Sequence, residues 1–420
     1  MVKVQSHKNT AFILTLLCVA LIGATISIGQ YGVYVPLIVL LCIRYIYDII
    51  NRRKGLLPLE DVYLYAIYVV IFYICTLING DGANGRNSLL INYGICLLSF
   101  LVISKEIRSE GTMKRFIRIL ICIVIINCII TIMQYYNNPL SWSVWYFFND
   151  AKTTSTAYLV NNMNSGSQLL GKSKIFCPGI FPSVVNNGYF VASLGVFCFY
   201  PQFSKNRYLG RIISALLVLT ILVTLMMIQQ RMAFFLFIIV TCVINYKRHK
   251  VATVFTIILA AIAFELVDMQ FDESVIGRLA DTEDKIRATL YETGIEYVTT
   301  HLLVGGRAGY ERINEHSAHN IFLNAIMYGG LFGGIVIIAI YFRMCYKAVR
   351  IIVLQFNHRR NVSVAFAYSL LTYNLISLTH NSSLLTGDPI IWILYAMMLV
   401  AQKYEVAKSK TRIAMDNRLC

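Results

Sequence analysis

The feature that most constrains this chain is the spacing of its apolar residues. They fall in blocks of about twenty, separated by short polar stretches, through roughly 10–28, 33–50, 59–78, 88–103, 116–135, 184–203, 210–228, 232–246, 251–268, 320–342, 362–379 and 389–402. A helix rising 1.5 Å per residue needs about that length to cross a hydrocarbon core about 30 Å thick. Hydrophobic residues make up 57% of the chain and charged ones 14%, against about 25% charged in a soluble domain. The predicted fold class is an all-α membrane protein of about twelve transmembrane helices.

In a soluble protein a net charge of +16 would suggest a nucleic-acid partner. Here its placement matters more. With the N-terminus in the cytoplasm and every block crossing, the inside connectors are 51–55, 104–118, 204–211, 246–250, the stretch from Arg343 to Arg360 and the C-terminal tail. Together with Lys3, Lys8 and Arg44 they hold 27 of the 37 Lys and Arg residues, as the positive-inside rule requires. Both termini are then cytoplasmic, the bilayer is the first partner, and nucleic acid is not one. The first block lacks a small-residue cleavage site and reads as a retained helix. Of the eleven cysteines only Cys177 lies in a far-side loop, so no disulfide framework is implied.

Residues 1–420 read as a single polytopic membrane domain without internal repeats. Two connectors are long, 136–183 and 269–319, and both are external. Long loops of this kind carry function more often than short ones. The first begins with aromatics (SWSVWYFF, 141–148); in the second, 283–303 reads as a helix along the membrane surface.

The chain has no phosphate-binding P-loop, no H-E-x-x-H zinc helix and no C-x-x-C pair, so neither a metal nor a cofactor is called for. Its polar chemistry gathers externally. In HSAHNIFLNAIMYGGLFGG (316–334), His316, His319 and Asn320 stand at the entrance to the tenth helix. A neutral imidazole accepts a proton near pH 7, which makes His319 a candidate base; the alternative is that His319 and Asn320 cap the helix. Gly329, Gly330, Gly333 and Gly334 form the small-xxx-small pattern of a helix-packing face.

Arg231, in QQRMAFFL (229–236), occupies a short external turn between two apolar helices. An arginine at membrane depth needs a wet cavity or an anionic partner, unless it snorkels to the interface. Arg278, Arg287, Arg307 and Arg312 add cations to the second long loop. The guanidinium fork suits phosphate oxygens; headgroup contact or pairing with Glu283, Asp284 and Glu311 is the alternative. In CPGIFPSVVNNGYFVA (177–192), Asn186 and Asn187 lie at the mouth of the sixth helix, where paired amides suit sugar hydroxyls and equally suit helix caps.

A mid-chain external arginine, a long late loop ending in a Gly-rich turn, and an H-N-x-x-L helix start with a Gly-Gly pair together resemble the O-antigen polymerase and ligase superfamily, the Wzy-type and WaaL-type membrane glycosyltransferases. The resemblance is strongest over about 270–345 and diffuse through the first 130 residues. The family's Gly-x-Gly-x-Gly turn appears as Gly305-Gly306-Arg307-Ala308-Gly309, and Gln230 stands where a small residue often precedes the arginine.

The resemblance implies a GT-C-like fold in the bacterial inner membrane, with the active face and both large loops periplasmic. It implies metal-independent, inverting transfer of an undecaprenyl diphosphate-linked glycan, with His319 as base and Arg231 holding the diphosphate. Arg287, ahead of Arg278 and Arg307, would supply a second clamp. Asn186, Asn187, Asn320 and His316 are lesser candidates for the acceptor sugar. A chain-length regulator and a flippase are the protein partners the family suggests.

A polymerase joins the glycan to another lipid-linked repeat unit, of O-antigen or capsule, whereas a ligase transfers it to lipid A–core. The Tyr- and Ile-rich composition and the divergent first loop favour the polymerase. From another class, a flippase or transporter of lipid-linked oligosaccharide accounts equally well for twelve helices. Against it stand the missing repeat and the nearly charge-free apolar blocks.

Overall fold

The computed structural model describes residues 27–28, 31–32, 39, 42–43, 46–47, 50, 60–80, 83–106, 110–148, 177–181, 184–199, 207–228, 230–246, 254, 257–258, 283–306, 309–310, 318, 320–354, 362–378 and 389–416. Its regular structure is helical except for one antiparallel ladder of two-residue strands, β1 (Ser27–Ile28) with β2 (Tyr31–Gly32). The helices are α1 (Glu60–Ile78), α2 (Ala83–Glu106), α3 (Glu110–Tyr135), α4 (Pro139–Phe148), α5 (Val184–Gly195), α6 (Arg207–Ile228), α7 (Arg231–Tyr246), α8 (Glu283–Thr300), α9 (Ile321–Leu354), α10 (Val362–Leu378) and α11 (Pro389–Asp416). A 3₁₀ turn over Val196–Phe199 continues α5.

Nine of the twelve predicted blocks coincide with these helices, and the expected surface helix is α8. The blocks at 33–50 and 251–268 are described only at isolated helical positions, and 10–28 lies outside the described residues apart from Ser27 and Ile28. That pair is strand, so the first block's expected helix does not reach its last two residues. By length and composition α1, Gly111–Tyr135 and α9 can cross a membrane; Tyr93–Ile103, Val184–Cys198, Ile212–Ile228, Met232–Ile244 and Val362–Leu378 are shorter apolar helices. This is the make-up of a helical membrane protein.

Two helices outrun their apolar blocks. α9 spans 34 residues with a break at Gly330, and its arm after the break carries Arg343, Lys347 and Arg350 within it rather than in a connector. α11 likewise continues to Asp416. Lys and Arg are good helix formers, so a change from apolar to basic residues marks where lipid contact ends and leaves the helix intact.

The chain divides into two compact units. The first comprises Met1–Leu40 and Gly111–Asp272, the second Leu41–Glu110 and Glu273–Cys420.

In the first unit, α3 ends in a Schellman motif. Asn137 adopts φ 52°, its N–H donates to Gln134 O at 2.8 Å, and Asn138 N–H donates to Met133 O at 2.9 Å. Asn138 then caps the next helix: its Oδ1 accepts from Leu140 N–H at 3.0 Å, with Pro139 at the first helical position. The Asn-Asn-Pro sequence thus ends one helix and starts another, and α4 lies within the expected long loop. Farther along, α5 packs on α6 and α7 and is buried from Asn187 to Gly195.

In the second unit, α9 packs on α1 and α10, and α11 on α10 and α2. Its centre is aromatic. Tyr65, Tyr68 and Phe72 form one stripe of α1; Tyr93 of α2 meets all three edge-on, and Trp392 of α11 lies 4.4 Å from Tyr65, ring centre to ring centre. Gly329 and Gly333 face Tyr68, so this pair does form the expected packing face.

Candidate functional site

Three polar clusters stand out against this apolar background. The first fixes a short irregular segment of the first unit, Cys177–Phe181. Asn127, Thr131 and Gln134 are fully buried on one face of α3, at the i, i+4, i+7 spacing that aligns side chains. Gln134 grips Gly179 twice: its Oε1 accepts from Gly179 N–H and its Nε2 donates to Gly179 O, both at 2.8 Å. Asn127 Oδ1 accepts from Ile180 N–H at 3.0 Å. Trp145 of α4 donates its indole N–H to Phe181 O at 2.7 Å.

Irregular backbone persists in an apolar interior only when its polar groups find protein partners, and here α3 and α4 supply them. Gly179 adopts φ 63°, and a Cβ there would lie 2.2 Å from Asn127 Oδ1, so the segment requires glycine. Burial pushes the thiol of adjacent Cys177 well above its ordinary range, which keeps it protonated and unreactive.

Asn187 belongs to this network. Its Oδ1 accepts from Asn127 Nδ2 at 2.6 Å, and its Nδ2 donates to Cys177 O at 2.9 Å and Thr131 Oγ1 at 3.1 Å. This is a correction to the sugar-binding alternative at 187: the side chain is fully buried and its amide is committed inside the protein. Asn186 beside it is half-buried.

Gly188 lets the start of α7 come close. A Cβ on it would lie 2.1 Å from Gln230 Oε1, and Gln230, itself buried, accepts from Phe234 N–H through its backbone carbonyl. The N-N-G and Q-Q-R segments, widely separated in sequence, therefore meet, and Arg231 is the first residue of the helix fixed there.

The second cluster is a backbone clasp in the second unit. α9 is broken at Gly330 (φ 61°, ψ −167°). In an unbroken helix Leu331 N–H would donate to Met327 O. Instead Leu331 N–H donates to Leu302 O at 2.7 Å, and Met327 O accepts from Gly306 N–H at 2.9 Å. The turn after α8 thus inserts into the helical ladder, and any Cβ at 330 would lie 2.0 Å from Leu303 O. Asn79 Nδ2 donates to Val304 O at 3.0 Å, tying the turn to the end of α1. Farther on, Tyr310 OH donates to Leu290 O at 2.9 Å, and Tyr310, Val298, Ala318 and Met327 share one buried cluster. The glycines expected only to pack helices therefore also admit this turn.

Within this arrangement Asn320 is the cap of α9. Its Oδ1 accepts from Phe322 N–H at 2.9 Å and Leu323 N–H at 3.2 Å, so of the alternatives left open at the tenth helix the cap is realised by Asn320. His319 lies in sequence between this cap and buried Ala318. His319, His316, Arg278 and Arg307 lie outside the described residues. Arg287 is described through its backbone, in the second turn of α8, and Arg231 through its backbone at the start of α7.

The third cluster escaped sequence reasoning. Asp61, buried in the first turn of α1, accepts from Arg343 Nε at 2.5 Å, Lys347 Nζ at 2.7 Å and Tyr395 OH at 2.9 Å. Glu60 accepts from Arg343 Nη2 at 2.6 Å. The available signal was the i, i+4 spacing of Arg343 and Lys347 on a helix extending beyond its apolar block. Nearby in sequence, Glu405 of α11 accepts from the backbone N–H and hydroxyl of Ser363 at the start of α10. Among the described residues no group of three or more His, Cys, Asp or Glu is placed to hold a metal ion.

No family model, curated protein or solved structure matches this chain. What its own fold and polar clusters define is a helical membrane protein.

Proposed function

We propose that the protein is a polysaccharide polymerase of the bacterial inner membrane, a GT-C-like glycosyltransferase of about twelve crossings with both termini cytoplasmic and its two long loops periplasmic. The observation that carries this reading is the construction of the late loop. α8 and the glycine turn are clasped into α9 by backbone hydrogen bonds, and the helix entry beside His319 is capped. A loop that only joined two helices would need none of this; one that holds reacting groups needs them fixed. The start of α7, headed by Arg231, is placed by the close packing of Gln230 on Gly188.

On this reading the acceptor hydroxyl of one lipid-linked repeat unit attacks the anomeric carbon of the lipid-linked glycan. The bond from that carbon to the diphosphate oxygen breaks, and undecaprenyl diphosphate departs with the bonding pair. His319 takes the hydroxyl proton. Arg231 and the late-loop arginines, Arg287 first, stabilise the departing negative charge. A single in-line displacement inverts the anomeric centre. A ligase shares the donor half of this chemistry and differs in the acceptor.

The break in α9 favours a second reading, because discontinuous helices are a device of transporters. In that case the protein moves the lipid-linked oligosaccharide rather than joining it.

Deleting the gene and examining surface polysaccharide separates the three. A polymerase leaves single-repeat-unit lipopolysaccharide or unpolymerised capsule units; a ligase leaves bare core with accumulated lipid-linked polymer; a transporter leaves units on the cytoplasmic leaflet. In the polymerase case His319→Ala is expected to abolish chain growth at normal protein level and insertion. Full-length polymer from that variant removes the histidine from the mechanism.

A further inference from the structure

We propose that α4 is an interfacial helix, lying in the headgroup–acyl boundary of the leaflet at the C-terminal end of α3, with its Leu140–Phe147 face against lipid chains. The inference rests on the membrane reading alone and is independent of glycosyl transfer.

The position of α4 is set by the chain. Only Tyr136, Asn137 and Asn138 separate it from the membrane-spanning segment Gly111–Tyr135, and three residues reach at most about 11 Å. Its own ten residues extend about 15 Å, half of what a crossing needs. It therefore has to stay near the level at which α3 leaves the bilayer.

Its composition suits lipid better than water. No residue from 126 to 149 is charged, and both faces of the helix are mainly apolar, with Ser143 the polar residue on the outer one. One face carries Trp142 and Trp145, buried in the unit's own interior. The opposite face presents Leu140 and Phe147, 64% and 72% exposed, and Tyr136 just before the helix is 61% exposed. They continue the exposed apolar surface of α3, where Ile126 and Ile129 are 55% and 50% exposed. The polar groups along α4 are satisfied internally: Asn138 caps Leu140 N–H, Ser141 and Ser143 donate to backbone carbonyls, and Trp142 Nε1 donates to Asn137 Oδ1. A helix whose polar groups are satisfied internally and whose outer face is uncharged loses no hydrogen bonds by meeting lipid chains. Because Trp145 also holds Phe181, α4 sets the depth of the Cys177–Phe181 segment.

The test uses the full-length chain in nanodiscs of phosphatidylethanolamine and phosphatidylglycerol. A genetically encoded nitroxide side chain, which avoids the eleven native cysteines, is placed in turn at Leu140, Phe147 and Ile126. Collision rates with oxygen and with a water-soluble nickel chelate are then measured. Oxygen is expected to exceed the chelate several-fold at 140 and 147, with depths of about 5–10 Å, and by more at 126. Chelate collisions prevailing at 140 and 147 place the face in water and overturn the proposal. Low rates for both probes there mean protein covers it, from this chain or a second copy, and overturn it equally. Oxygen prevailing at 126 while 140 fails shows that the span stands and only the interfacial helix is lost.

Discussion

The two units stabilise their polar interiors by different chemistry. In the first, Asn127, Thr131, Gln134 and Asn187 form a neutral network, fully buried, whose task is to satisfy the irregular backbone of Cys177–Phe181. In the second, Asp61 collects two cations and a tyrosine hydroxyl, and of its charged groups only the carboxylate is deeply buried: its side chain is 4% exposed, against 35% for Arg343 and 21% for Lys347. The contrast follows from desolvation. Removing a neutral amide from water costs a few kcal/mol and two or three hydrogen bonds recover it, whereas burying an ion costs far more. Amides therefore work in the dry part of a helix bundle. Charges work at a helix terminus, where their heads stay partly wet and the first-turn carboxylates also favour the helix dipole.

If the neutral network depends on close fit, it should fail sharply when that fit is disturbed. Gly179→Ala puts a methyl onto Asn127 Oδ1 in a left-handed backbone. The conformation alone costs about 1–2 kcal/mol, and the displaced Asn127 leaves buried donors unpaired at about 1–3 kcal/mol more. A loss of about 3–4 kcal/mol is expected in thermal or denaturant unfolding of the purified protein in detergent. Gly80→Ala makes the same backbone change (φ 69°) in open space and should show only the conformational part. Equal losses at the two positions would mean the network contributes nothing.

The ionic cluster should respond to charge rather than shape. Asp61→Asn keeps the volume but leaves Arg343 and Lys347 without their buried counter-charge. Breaking a fully buried pair costs about 3–5 kcal/mol; the partial exposure of both cations lowers the expected loss to about 2–3 kcal/mol. Adding Lys347→Met to Asp61→Asn should recover part of it, since one uncompensated cation is removed. A double variant less stable than Asp61→Asn would show that Lys347 contributes mainly through its stem and its position over the Tyr395 ring.

How much of this could be read from the sequence differs between the two clusters. The apolar blocks gave most helices, because a 20-residue apolar run has few other solutions, and polar Asn127, Thr131 and Gln134 at helical spacing inside one such block already mark a face. Their partner, a glycine some 45 residues later, is set by tertiary packing that no local pattern encodes. α4 was legible in Asn138-Pro139, yet the aromatic run after it reads as loop when only apolar length is weighed. The hydropathy boundary places Arg343 and Lys347 in a cytoplasmic connector, because apolar length ends before the helix does. The break at Gly330 resembles any small-xxx-small pair until the turn at Leu302–Gly306 is placed beside it. Of the candidate site, Asn320 and Asn187 resolve into a cap and a network member, while His319, His316, Arg278 and Arg307 lie outside the described residues.

The last comparison lies within the ionic cluster and has the smallest effect. Glu60 and Asp61 are adjacent and share Arg343, yet the Glu60 side chain is 72% exposed. An exposed ion pair contributes about 0.2–1 kcal/mol, so Glu60→Gln should destabilise by about 0.5 kcal/mol or less. Screening separates the two carboxylates further: at 1 M salt the Debye length falls to about 3 Å, and the Glu60 contribution should vanish. The Asp61→Asn loss should persist, because its carboxylate is out of reach of the counter-ions. Unfolding of both variants at low and high salt therefore measures how far the depth of burial, rather than the presence of charge, sets the strength of the cluster. If both losses disappear together in salt, Asp61 is wetter than its burial indicates, and the contrast between the two units narrows to one of charge alone.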